Sequence, residues 1–216
     1  MKKNILIGLA LQALCMFCNT NIAEAQEYNQ RIAMEGVEMY GLVTFSPINQ
    51  LDDMTPGLYK FGYDDNFKPD DNSVLFNRYV AGGGVYHNGK IYCNVYSDEA
   101  HLPEQKPVWT ILDGNTYEVL YEKELPDNCQ STTTSLAYDV TNDKIYGIVV
   151  DYSTSHLVEI DPETGDMTRV GKDFDYNLRF KTLVSDNRGM LYSVVIDTKD
   201  YGQYLYKIRK TDGMAG

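Results

Sequence analysis

The stretch Lys144-Ile145-Tyr146-Gly147-Ile148-Val149-Val150-Asp151, followed by His156-Leu157-Val158-Glu159-Ile160-Asp161-Pro162-Glu163-Thr164-Gly165, decides the fold. Its β-branched and aromatic residues favour extended backbone, and no 3.6-residue apolar period runs through it. Pro162 to Gly165 reads as a tight turn, because Pro presets a negative φ and Gly accepts a positive one. Upstream, residues 135–140 form another apolar segment, joined to the first by the turn Thr141-Asn142-Asp143; downstream, residues 167–171 supply a fourth. The unit is four antiparallel strands in sequence order.

Working outward, the same unit recurs. Leu58-Tyr59-Lys60-Phe61, Val108-Trp109-Thr110-Ile111, Leu157-Val158-Glu159-Ile160 and Leu205-Tyr206-Lys207-Ile208 start 50, 49 and 48 residues apart. A second series precedes them, with tyrosine at its second place each time: Met39-Tyr40-Gly41, Ile91-Tyr92-Cys93, Ile145-Tyr146-Gly147 and Leu191-Tyr192-Ser193. Asn88-Gly89 and Asn187-Arg188-Gly189 mark the first turn in the neighbouring repeats, as hairpin connections do. The repeats span about 31–78, 80–126, 132–174 and 181–216.

Four-stranded units recurring every 40 to 50 residues are the signature of propeller blades. The chain is therefore expected to be all-β, a β-propeller of four-stranded antiparallel blades; a β-sandwich of similar hairpins is the alternative. The segment 157–165, preceded by Lys144-Ile145-Tyr146-Gly147, resembles the blade repeat of the YVTN and quinoprotein-like propeller superfamily, in its exported bacterial type. The resemblance is strongest over 132–216, weaker over 80–126 and weakest over 31–78. It implies a fold and only a broad function, since such propellers include enzymes, ligand sensors and scaffolds. No run of Trp-Asp dipeptides is present, so the WD40 class is not resembled.

The last repeat carries three strands and reaches Thr211-Asp212-Gly213-Met214-Ala215-Gly216 where its fourth should start. Three explanations stand: a fragment of a six- to eight-bladed protein, a four-bladed ring whose last blade residues 26–34 complete, or self-association with a second copy. The first is preferred.

The chain has 216 residues, and residues 1–25 read as a signal peptide. Lys2 and Lys3 precede an apolar run of about 13 residues, too short to span a membrane, and Ala23-Glu24-Ala25 is a small-x-small cleavage site. Residues 26–216 are the propeller domain, exported to the periplasm, the cell surface or the medium, without membrane insertion after cleavage. This portion carries 17 Lys+Arg against 30 Asp+Glu, a net charge of −13, which argues against nucleic acid. Its two cysteines, Cys93 in a strand and Cys129 in the turn-like Pro126-Asp127-Asn128-Cys129, permit one disulfide. They make no zinc site.

No catalytic signature is present: no nucleophile elbow, no zincin helix, and Gly82-Gly83-Gly84 continues as Val85-Tyr86 where a phosphate loop needs Lys-Ser/Thr. Those glycines are expected to let a blade's innermost strand pack closely. No catalytic residue, metal ligand or cofactor is assigned. Of the three histidines, His87 and His156 read as surface residues, and His101 lies in a long loop that can line a binding face. Asp98, Asp151 and Asp197 each follow the repeat tyrosine by five or six residues, at the end of a second strand. Structurally, each is expected to accept backbone N–H bonds in the loop that follows. Tyr40, Tyr92, Tyr146 and Tyr192 are expected to pack between blades. Tyr152, Tyr201 and Tyr204 lie in or beside the loops, where aromatic faces can stack on sugars or peptide side chains.

The expected function is an exported, non-catalytic propeller that binds a protein or carbohydrate ligand through Asp98, His101, Asp151, Tyr152, Asp197, Tyr201 and Tyr204. The alternative is a fragment or relative of a propeller lyase or glycosidase, with Asp151 and Asp197 as paired carboxylates and one of them raised in pKa.

Overall fold

The fold is that of a computed structural model, described for residues 38–43, 57–62, 74–78, 80–96, 106–126, 133–151 and 154–216. The chain falls into two compact units, residues 1–39 with 61–69 and residues 40–60 with 70–216. Of the first unit the description covers Glu38, Met39, Phe61 and Gly62; the packing below is that of the second.

Every regular element among the described residues is a strand, and the strands form four antiparallel sheets, the blades of a four-bladed β-propeller. Blade 1 holds β1 (Glu38–Val43), β2 (Gly57–Gly62) and β3 (Val74–Phe76) in that order. Blade 2 is the meander β4 (Val80–His87), β5 (Lys90–Tyr96), β6 (Pro107–Asp113) and β7 (Val119–Glu124). Blade 3 is β8 (Thr133–Asp139), β9 (Lys144–Asp151), β10 (Thr154–Ile160) and β11 (Met167–Val170). In blade 4, β12 (Leu178–Phe180) and β13 (Val184–Ser185) both pair with β14 (Leu191–Asp197), as two halves of one inner strand, and β15 (Gln203–Ile208) follows.

One hairpin recurs in blades 2, 3 and 4. The N–H of Asp113 bonds the carbonyl of Glu118, that of Asp161 bonds Asp166, and that of Arg209 bonds Met214, at 2.8–3.0 Å. The fifth residue of each turn has positive φ: Tyr117 at 61°, Gly165 at 72° and Gly213 at 68°. Asp113 and Asp161 close the turn from the side chain, each Oδ1 accepting two backbone N–H groups. This register sets Trp109, Leu157 and Leu205 as equivalents, 48 residues apart. It corrects the alignment of Val108 with Leu157 by one residue; a one-residue slip would turn every side chain to the other face. The fourth strand of blade 4 also begins: Ala215 bridges Ile208, and Lys207 and Gly216 exchange backbone bonds of 2.9 and 3.1 Å.

Each interior blade is covered on both faces, which explains why its second and third strands read as near-continuous apolar runs. In β5, Ile91, Cys93 and Val95 face blade 1 with Leu58 and Phe76, while Tyr92 faces blade 3. One blade later, Ile145 and Val149 face back to blade 2, while Tyr146 and Ile148 face blade 4. The innermost strands approach closely: a Cβ on Gly82 would stand 2.1 Å from the Thr133 carbonyl oxygen, so β4 needs glycine there. Between blades 2 and 3, Asn94 Nδ2 donates to Thr133 Oγ1 at 2.8 Å, and between blades 3 and 4 the Leu183 N–H donates to Ser135 Oγ at 2.7 Å. These bonds satisfy polar groups that the close approach removes from water.

Candidate functional site

In a four-stranded meander the first and third turns leave at one rim, and the second loop leaves at the other, beside the connection to the next blade. The two rims differ. At the tight-turn rim, side chains tie blade 2 to blade 3 and blade 3 to blade 4. Trp109 Nε1 donates to the Pro162 carbonyl at 3.0 Å, Lys123 pairs with Asp166 at 2.6 Å, and Lys210 of blade 4 pairs with the buried carboxylate of Asp139 in blade 3. His87 stacks on Tyr138 with ring centroids 3.8 Å apart, and its Nε2 lies 3.2 Å from Asp143 Oδ1, which also accepts the Tyr138 hydroxyl at 2.7 Å. That bond pushes the Tyr138 phenol up to about 12. His87 is therefore an inter-blade tie and not the free surface residue expected. His156 is also more enclosed than expected, with its Nδ1 3.6 Å from Asp173.

The loop rim is described best in blade 4. Asp197 closes β14, and its Oδ1 accepts the Lys199 N–H at 2.9 Å, the structural role anticipated for this recurring aspartate. The loop is also closed by the Asp197 N–H on the Gly202 carbonyl at 3.0 Å. Within it, Asp200 Oδ1 accepts the Gly202 N–H at 2.7 Å and Oδ2 accepts the Tyr204 hydroxyl. This hydrogen bond lowers the Asp200 carboxyl and raises the Tyr204 phenol. Tyr201 sits at the tip with φ 57° and 81% of its surface exposed.

The connection from blade 3 to blade 4 joins the same rim. The Thr198 N–H donates to the Asn177 carbonyl at 2.9 Å, and Lys199 reaches Asp175 at 3.4 Å. An Asx turn at Asp175, bonded to the Asn177 N–H at 3.0 Å, leaves Tyr176 between them 67% exposed. Asp175, Tyr176 and Asp200 were not singled out from the sequence. The signal for them is topological: a connection that enters a blade's inner strand must leave the rim used by the second loops.

Asp151 closes β9, where it is the pairing partner of Thr154. Asp98, His101, Tyr152 and Cys129 lie outside the described residues. Cys93 is a free thiol packed between blades 1 and 2, and burial pushes it up to about 12. Among the repeat tyrosines, Tyr92 and Tyr146 are buried between blades and Tyr192 is half-buried; Tyr40 is exposed, with its hydroxyl 3.0 Å from that of Tyr117.

The sheets define the class: this is a β-propeller. No described protein family and no curated protein matches the sequence. Among solved structures the chain is similar to puromycin hydrolase, at 13% identity and TM-score 0.47, over 82% of this chain and 30% of the hydrolase. It is also similar to a quinoprotein alcohol dehydrogenase-like protein from Bacteroides thetaiotaomicron, at 13% identity and TM-score 0.37, over 82% of this chain and 51% of that one.

Proposed function

We propose that the chain is an exported, non-catalytic β-propeller that holds a ligand or partner protein on its loop rim, with Tyr201 as the principal contact. The observation that carries this is the conformation of Tyr201. Positive φ in a bulky non-glycine residue costs free energy and persists where the surroundings impose it. The comparison is Tyr117, which has the same backbone conformation but packs its side chain against the core between blades 1 and 2. Tyr201 is 81% exposed, so packing does not repay its strain. A short loop closed at both ends that presents an aromatic face to solvent is suited to stacking on a sugar ring or a flat peptide side chain.

The polar ends of neighbouring residues are already engaged, Tyr204 by Asp200 and Asp197 by the Lys199 N–H. The Lys199 N–H bond gives Asp197 a structural part in the loop, as the binding reading expects. Asp98, His101, Asp151 and Tyr152 belong to the corresponding loops of blades 2 and 3 and extend the same surface in this proposal. Export rests on the leader in residues 1–25.

The test is a screen of the purified protein on glycan and peptide arrays, beside Tyr201→Ala and Tyr176→Ala. Retention of a probe by the wild type and loss of it in Tyr201→Ala supports the proposal; probes retained equally by all three proteins contradict the site.

A further inference from the structure

The loop that carries Tyr201 is longer than its counterpart one blade earlier. In blade 3, Asp151 pairs with Thr154, which leaves two residues between β9 and β10; in blade 4 the Asp197 N–H closes on the Gly202 carbonyl and leaves four, Thr198 to Tyr201. Extra residues in one repeat of a rigid scaffold are where such folds carry binding function. The hairpin register that aligns Trp109, Leu157 and Leu205 also aligns the residues before them: Val108 in blade 2, His156 in blade 3 and Tyr204 in blade 4. Of these three blades, only blade 4 has a phenol at this place. Tyr204 stands on β15 opposite Val195, and its ring meets that of Tyr206 edge-on at 6.4 Å. Tyr206 in turn packs against the core between blades 3 and 4, so Tyr204 reaches the loop from a firm base.

Tyr204 holds both neighbours of Tyr201. On one side its hydroxyl donates to Asp200 Oδ2. On the other the tip of its ring covers Gly202, where a Cβ would stand 2.5 Å from the hydroxyl oxygen and 2.6 Å from Cε2. Asp200 Oδ1 accepts the Gly202 N–H at 2.7 Å and so joins the two sides across Tyr201. The Asp200 carboxyl is lowered and the Tyr204 phenol raised by their bond, so acceptor and donor both persist through the neutral range. A residue whose two neighbours are fixed has little freedom of its own, and these contacts are the surroundings that impose a φ of 57° on an exposed tyrosine. We propose that Tyr204 is the positioning residue of the binding surface: through Asp200 and Gly202 it sets Tyr201 in the left-handed conformation, with its own hydroxyl turned to Asp200 and away from the ligand. Holding a contact in its bound geometry beforehand cuts the ordering cost of association. The inference rests on the reading of Tyr201 as the principal contact.

The experiment is NMR on the isotope-labelled protein without ligand, reading the intraresidue amide-to-Hα cross-peak of Tyr201, which is strong at positive φ because the two protons lie close together. Wild type is compared with Tyr204→Phe, which keeps the ring and removes the hydroxyl, and with Gly202→Ala, which keeps every hydrogen-bonding group and displaces the ring. In both variants the left-handed share of Tyr201 relative to its other conformers should fall about threefold or more, the effect of losing one exposed hydrogen bond. The unfolding midpoint of Tyr204→Phe should move by only about 2 to 4 °C. The array probe that Tyr201→Ala loses should bind both variants about threefold or more weakly, although residue 201 itself is unchanged. A Tyr201 cross-peak as strong in Tyr204→Phe as in wild type overturns the inference, because the backbone closure of the loop would then suffice to hold Tyr201. The NMR measurement needs no ligand, so its result stands apart from the array screen that tests Tyr201 as the contact.

Discussion

Trp109 of blade 2 lies against Gly165 of blade 3: a Cβ built on Gly165 would stand 2.3 Å from the indole Cγ, and the indole Nε1 donates to Pro162 in the same turn. Two requirements meet at this glycine, positive φ and space for the one tryptophan of the chain. Gly165→Ala should therefore destabilise the fold by about 3 kcal/mol, from left-handed backbone strain and overpacking together. Trp109→Ala should cost about 4 kcal/mol as a cavity between blades. Urea unfolding followed by circular dichroism measures both; a Gly165→Ala protein as stable as wild type would mean that the turn does not hold the indole.

Acid should loosen the contact between blades 3 and 4. Burial alone would raise the Asp139 carboxyl, but hydrogen bonds from Lys210 and Thr141 outweigh it and hold the pKa below the usual value. Backbone N–H groups lower Asp113 and Asp186 in their turns in the same sense. A depressed folded-state pKa contributes stability that is present above the unfolded value, near about 3.9, and is lost as pH falls through the folded one. Lys210→Met should thus cost about 2 kcal/mol at pH 7, because it leaves a buried carboxylate without its cation. The same comparison at a pH below both values should show a much smaller difference; an equal difference at both would assign Lys210 to packing alone.

Cys93 should be inert in the native protein. Its thiol is enclosed by the core between blades 1 and 2 and pushed up to about 12, so almost no thiolate is present at pH 8. Iodoacetamide treatment followed by peptide mapping should leave Cys93 unmodified until denaturant is added. Rapid labelling under native conditions would show that blades 1 and 2 separate readily.

The blade pattern was legible because it is local. Turn residues such as Asn88-Gly89 and Pro162-Glu163-Thr164-Gly165, and the tyrosine at one place in every repeat, report backbone geometry directly. The error of one residue at Val108 has a physical source: in strands buried on both faces, Val108 and Trp109 are equally apolar and only the turn hydrogen bonds choose between them. His87 reads as a surface residue from the sequence because its partners, Tyr138 and Asp143, come from the next blade. The recurring aspartate was legible where Asp197 could be followed, since an Asx contact needs only the next two residues. Tyr176 was missed because nothing in its own segment distinguishes it; its place at the rim follows from where β12 must begin.

The most direct measurement of the binding role is titration calorimetry of an array-selected probe against wild type and Tyr201→Gly, with the stability of both proteins recorded. Glycine accepts the φ of 57° without strain, Tyr201 is 81% exposed and contributes little to packing, and the relief of strain is offset by the added freedom of the unfolded chain, so the variant should lie within about 1 kcal/mol of wild type. Its affinity should fall about tenfold or more as the stacking face is lost. Unchanged affinity in a stable Tyr201→Gly protein would contradict the account and remove the loop of blade 4 from the binding surface.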